Sequence, residues 1–149
     1  MNEELFYGEV LTSHALESQW QKQLSVVTGR QEGINASCGD DIIMEWQVEN
    51  GRLVDAGFSG EGCVIARASS DICVGLLVGK SLAEIAEILQ NFMAWVQTGD
   101  ENLVSEFPEV KVLTSSIANP VRTKCATLAW HTAEKLLKLH QQLFGEQEQ

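Results

Sequence analysis

Ile42-Ile43-Met44-Glu45-Trp46-Gln47-Val48-Glu49-Asn50-Gly51-Arg52-Leu53-Val54-Asp55-Ala56-Gly57-Phe58 decides the class of fold. Ile42, Met44, Trp46 and Val48 alternate with mostly polar neighbours, the period of a half-buried strand. Asn50-Gly51 supplies a turn that accepts positive φ, the commonest hairpin signal. Val54, Ala56 and Phe58 resume the alternation on a second strand. Gly57, Gly60 and Gly62 then crowd the approach to Cys63, where a backbone without side chains can pack closely.

Helical signals surround this hairpin. From Glu3 to Val27 the apolar residues Leu5, Val10, Leu11, Ala15, Leu16, Trp20 and Leu24 recur at roughly helical spacing, with Gly29 as the stop. Arg30 to Ser37 reads as a polar connection; a third strand near Arg30–Asn35 is the open alternative. Ile65 to Val78 predicts a helix with Ile65, Ala68, Ile72 and Leu76 on one face. Ser81 and Glu84 form a capping box for a helix ending at Gly99. Asp100 to Ala118 is irregular. Asn119-Pro120 predicts the start of a last helix to about Phe144, with Val121, Cys125, Leu128, Thr132, Leu136, Leu139 and Leu143 on its apolar face. The sum is an α+β domain, a small antiparallel sheet packed against several helices, with residues 1–149 as one domain and a disordered tail at Gly145–Gln149.

Composition narrows the function classes. A net charge of −11 argues against non-specific binding to nucleic acid or anionic membranes, which need an excess of Lys and Arg. The acidic start has no basic region leading into an apolar one, and the apolar runs are too short to span a bilayer. The expected location is cytoplasmic. There, four cysteines point to metal binding or thiol chemistry rather than to disulfides.

Three of those cysteines sit at the ends of elements. Cys38 lies in the polar turn Ser37-Cys38-Gly39-Asp40, with the Asp40 carboxylate two residues on and on the same side. The alternative for Asp40 is a turn or cap residue. Cys63 immediately precedes a helix, whose N-terminus favours a thiolate. Cys125 falls in the first turns of the last helix. With no Cys-x-x-Cys pair, spacing alone leaves a metal site open rather than established. Cys73, inside the apolar Ile72-Cys73-Val74, reads as a buried, inert thiol. Arg122 and Lys124 could balance the charge of thiolates at Cys125, or be solvated charges at a helix start. His14, His131 and His140 read as surface or internally satisfied histidines.

Cys38-Gly39-Asp40, then Phe58-Ser-Gly-Glu-Gly-Cys63 running into Ala66-Arg-Ala-Ser-Ser70, then Pro120-Val-Arg-Thr-Lys-Cys125-Ala-Thr-Leu-Ala-Trp130 together resemble the NifU/IscU family, and within it the SufU branch. The likeness spans most of Ser37 to Leu137. It implies a SufE/NifU-like fold, with Cys38, Asp40, Cys63 and Cys125 as ligands of one metal, zinc. It also implies transfer of persulfide sulfur from a PLP-dependent, SufS-like cysteine desulfurase to downstream iron–sulfur assembly proteins, with Cys38 as the acceptor nucleophile and Arg122 beside it. The family alternative is a scaffold that builds a [2Fe–2S] cluster on the same ligands; a closed structural zinc site is a third reading. Two features resemble the SufU branch rather than IscU: a segment around Gly99–Ser116 that IscU-like chains mostly lack, and Lys124 where they carry histidine. The chain departs from the family at Ser13-His14-Ala15 and Gln19-Trp20-Gln21, and in Asn35-Ala36-Ser37 before Cys38.

Overall fold

The computed structural model describes residues 3–144. The order is α1 (Glu3–Leu16), β1 (Gly29–Asn35), β2 (Asp40–Glu49), β3 (Arg52–Glu61), α2 (Val64–Leu77), α3 (Leu82–Thr98), two 3₁₀ turns (Glu101–Val104 and Pro108–Leu113), α4 (Thr114–Ala118) and α5 (Thr123–Phe144). The α+β expectation holds: β1-β2-β3 is an antiparallel sheet with helices packed on it. The expected tail at Gly145–Gln149 lies outside the described residues.

The β2–β3 hairpin turns through Asn50 and Gly51, both at positive φ, as the dipeptide predicted. Its second strand departs from strict alternation. Gln47 pairs with Asp55 but Val48 with Leu53, which leaves Val54 as the extra residue of a bulge. The bulge turns Val54 outward and Leu53 inward, while Ala56 and Phe58 stay buried.

The polar connection of the sequence reading is β1, paired with β2 from Gly29↔Trp46 to Asn35↔Asp40. Its apolar content is low because the strand contributes close approach rather than side chains. A Cβ on Gly29 would collide with His140, and one on Gly33 with Thr132, both on α5. The two glycines therefore let α5 lie directly against the strand.

The first helix is shorter than its periodicity suggested, ending at Leu16 rather than continuing to Val27. Tertiary partners recruit the backbone beyond it. Trp20 N–H donates to the Asp71 carboxylate at 2.9 Å, Phe58 N–H to Trp20 O at 3.0 Å, and Leu24 N–H to Glu45 Oε1 at 3.0 Å. These satisfied bonds outweigh a weak local helix preference. Asp71 itself is buried and also bonds His14 Nδ1 at 2.6 Å, so His14 is internally satisfied, tying α1 to α2.

α2, α3 and α5 surround the core. Phe92 of α3 stacks on Trp130 of α5 with ring centroids 3.7 Å apart. Ser81 and Glu84 form the capping box, and Gly99 ends α3 in the left-handed region. The last helix starts at Thr123, later than Asn119-Pro120 suggested. Asn119 instead holds the preceding turn, its Oδ1 accepting from Val121 N–H at 2.9 Å and Arg122 N–H at 3.3 Å. Val121 and Leu143, at the ends of the apolar face expected for that helix, are exposed. No described helix is long and apolar enough to cross a membrane.

Urea unfolding should rank the supports of this core. Phe92→Ala is expected to cost about 3–5 kcal/mol, because the stacked ring leaves a cavity against Trp130. Ser81→Ala should cost only about 1 kcal/mol, the value of one cap.

Candidate metal centre

One end of the sheet gathers the chemistry. β1 ends at Asn35, a four-residue turn carries Cys38, and β2 begins at Asp40 opposite Asn35. Cys38 N–H closes this turn onto Asn35 O at 3.3 Å, and Gly39 takes φ 72°, a conformation glycine adopts without strain. β3 ends at Glu61, and Cys63 caps α2, its Sγ accepting from Ala66 N–H at 3.4 Å. α5 brings Cys125 in from the other side. The depth of that helix is set by a polar chain, Trp130 Nε1–H to Ser69 Oγ at 2.9 Å and Ser69 O–H to Ala126 O at 2.5 Å, which joins α5 to α2 within the core.

Donor atoms of Cys38, Asp40 and Cys125 all lie within 4.8 Å of one another. Cys63 stands outside that triad, and it lines one cavity of about 540 Å³ together with Cys38 and Cys125. The other walls are Gly8, Leu11 and Thr12 of α1, with Val64, Val121 and Arg122. Arg122 and Lys124 are both exposed; Arg122 lines this cavity and Lys124 does not. Cys38 is exposed, Cys63 half-buried and Cys125 buried.

Asp40 is fully buried, and no Lys, Arg or His among the described residues pairs with it. Its oxygens are held by neutral donors: Oδ1 accepts from Cys63 N–H at 2.9 Å and Oδ2 from Asn35 Nδ2 at 3.2 Å. A buried carboxylate against three thiols is costly without a cation. Three sulfur donors and one oxygen donor suit zinc or an iron–sulfur cluster, so the residues fit a metal of that kind.

Asn35 escaped the sequence reading. It is buried, and its Nδ2 also reaches Cys125 Sγ at 3.4 Å. The signal available was its place three residues before Cys38. Cys73 is buried in α2, as expected of an inert thiol, and burial pushes its thiol far above the ordinary range. Burial, then hydrogen bonding with Cys38, Asp40 and Cys63, pushes Cys125 up as well while no metal is bound. His131 pairs with Glu134 at 3.2 Å, and buried His140 bonds Thr28 Oγ1 at 2.9 Å and Leu136 O at 2.8 Å; neither approaches the thiols.

The fold and this end of the sheet define a class. The model of the NifU-like N-terminal domain matches residues 17–142, and the chain belongs to that family. Among its relatives, an iron–sulfur cluster assembly scaffold protein IscU from Thermotoga maritima is 34% identical over 135 residues, 90% of this chain and 94% of that one. A zinc-dependent sulfurtransferase SufU from Bacillus subtilis is 30% identical over 101 residues, covering 68% of this chain and 69% of that one. The crystal structure of an iron–sulfur cluster assembly scaffold protein for the SUF system from Fervidobacterium islandicum superposes with a TM-score of 0.76 at 26% identity, covering 91% of this chain and 99% of that one.

The raised thiols carry a pH signature in metal-free protein. A group held neutral in the fold stabilises it fully below its unfolded value, ~8.5 for a thiol, and loses that contribution as pH rises toward the folded value. The urea midpoint of metal-free protein should therefore fall between pH 7 and pH 10, and Cys73→Ala should reduce the fall. An equal fall in the variant would assign the effect elsewhere.

Proposed function

We propose that this protein is a zinc-dependent sulfur acceptor that takes persulfide sulfur from a PLP-dependent, SufS-like cysteine desulfurase and passes it into iron–sulfur cluster assembly, within the SufU branch of its family. Cys38, Asp40, Cys63 and Cys125 hold the metal. Bound zinc keeps thiols deprotonated near neutral pH.

The observation that carries this reading is the inequality of the four donors. Cys63 Sγ accepts from Ala66 N–H, Cys125 Sγ from Asn35, and Asp40 from both Cys63 and Asn35. Among the described residues, no N–H donates to Cys38 Sγ. Cys38 is also exposed, on a turn next to Gly39 at positive φ. It is the thiolate that leaves the set at least expense.

Its sulfur attacks the terminal sulfur of the desulfurase's cysteine persulfide. A new S–S bond forms to Cys38, the old S–S bond breaks, and the desulfurase cysteine departs as thiolate. The sulfane sulfur keeps its oxidation state, so no external oxidant or reductant enters. Arg122, which lines the same cavity, would hold the negative charge of the attacking and departing sulfurs near Cys38.

A second reading, a scaffold that assembles a [2Fe–2S] cluster as cargo on the same ligands, is favoured by the scaffold relative from Thermotoga maritima, which matches over more of this chain than the sulfurtransferase does.

Persulfide mapping by mass spectrometry after mixing with desulfurase and cysteine, alongside elemental analysis, tests the proposal. Stoichiometric zinc and an added sulfur on Cys38 are expected, with Cys38→Ala losing both the persulfide and any stimulation of desulfurase turnover. Full stimulation by Cys38→Ala would refute it. A stable coloured cluster on anaerobic reconstitution, passed to an apo-acceptor, would favour the scaffold.

A further inference from the structure

We infer that Asn35 is the positioning residue of the metal centre: its one side-chain amide holds Asp40 and Cys125 as a fixed pair, and so leaves Cys38 as the donor that exchanges. The inference rests on the four-ligand reading proposed above.

Asn35 touches three of the four proposed ligands. Its carbonyl accepts from Cys38 N–H at 3.3 Å, closing the turn. Its Nδ2 donates to Asp40 Oδ2 at 3.2 Å and to Cys125 Sγ at 3.4 Å. An NH₂ group has two protons, so both contacts can be made at once. The amide orientation is set by Asp40, since an ionised carboxylate only accepts; Cys125 likewise only accepts once it is a metal-bound thiolate. Asn35 is only 7% exposed, and water competes poorly for those protons.

The residue type fits the task. Arg or Lys here would place a positive charge beside a bound cation. Asp would add a further negative charge to three thiolates and a carboxylate. A neutral double donor orients two anionic ligands and withdraws density from them without changing the net charge. Its position at the end of β1, in register with Asp40, fixes it to the sheet rather than to a loop. Side-chain bonds from this amide reach Asp40 and Cys125 but not Cys38 Sγ, so removing it should loosen the two held ligands and narrow their difference from the free one.

The test compares wild type with Asn35→Leu and Asn35→Asp, reading zinc affinity by chelator competition and the ligand field by Co(II) absorption. A loss of ~10–100-fold in zinc affinity is expected for Asn35→Leu, with altered Co(II) bands, and a larger loss for Asn35→Asp. Wild-type affinity and unaltered bands in both variants would overturn the inference. Should neither variant fold, cadmium-113 NMR of wild type decides: scalar coupling between the Asn35 amide protons and the metal through Cys125 sulfur is expected, and its absence refutes the role. Persulfide mapping on wild type separates this from the proposed function. Intact Cys38 persulfide with unaltered variants sinks the inference alone, and altered variants without any persulfide sink the sulfur-transfer reading alone.

Discussion

A single buried carboxylate fastens the three strands to the helices at one end of the sheet. Asp40 starts β2, receives Asn35 from the end of β1, and receives the Cys63 N–H from the junction of β3 and α2. Those two bonds set Cys38 and Cys63 relative to one another, and the Asn35 bond to Cys125 brings α5 to the same level. The same group has no cationic side chain beside it among the described residues, although burying an unpaired carboxylate is expensive. Under the proposed function, a cation among the sulfurs would balance that charge.

The cysteines and Asp40 were legible because they interrupt their surroundings. Three thiols at element ends and a carboxylate two residues from one of them do not resemble core, whereas Cys73 within Ile72-Cys73-Val74 does, and lies buried as such. The hairpin was legible from Asn50-Gly51 and the alternation of Ile42 to Val48. What stayed hidden depends on contacts with distant residues. β1 has few apolar side chains because Gly29 and Gly33 serve α5, and no local pattern records a partner a hundred residues away. The backbone beyond Leu16 leaves the helix for Asp71, Glu45 and the edge of β3, which override its periodicity. The bulge at Val54 puts Leu53 inward and Val54 outward, and strict alternation through Val54, Ala56 and Phe58 cannot anticipate that.

Asn35 belongs to the same group of hidden features for another reason. A lone asparagine before a turn is ordinary turn chemistry. Only the arrival of α5, carrying Cys125 over the end of β1, turns it into a donor to both Asp40 and Cys125. Lys124, which adjacency to Cys125 brought forward as a charge-balancing residue, does not line the cavity, while Arg122, two residues earlier, does. Neighbourhood in sequence is a poor guide at a helix start, where each residue turns about 100° from the last.

The inequality among the donors follows from where each sits in the chain. Cys63 and Cys125 belong to helices anchored to one another through Ser69 and Trp130, and Asp40 belongs to a central strand. Moving any of them strains a packed element. Cys38 alone sits on a turn between strands, and shifting it breaks no N–H···S bond among the described residues while rotating a backbone that already uses a glycine at positive φ. A site with four equally held ligands would be a clamp. Under the proposed function, three donors on packed elements and one on a turn would let that one sulfur leave, react and return while the others hold a metal.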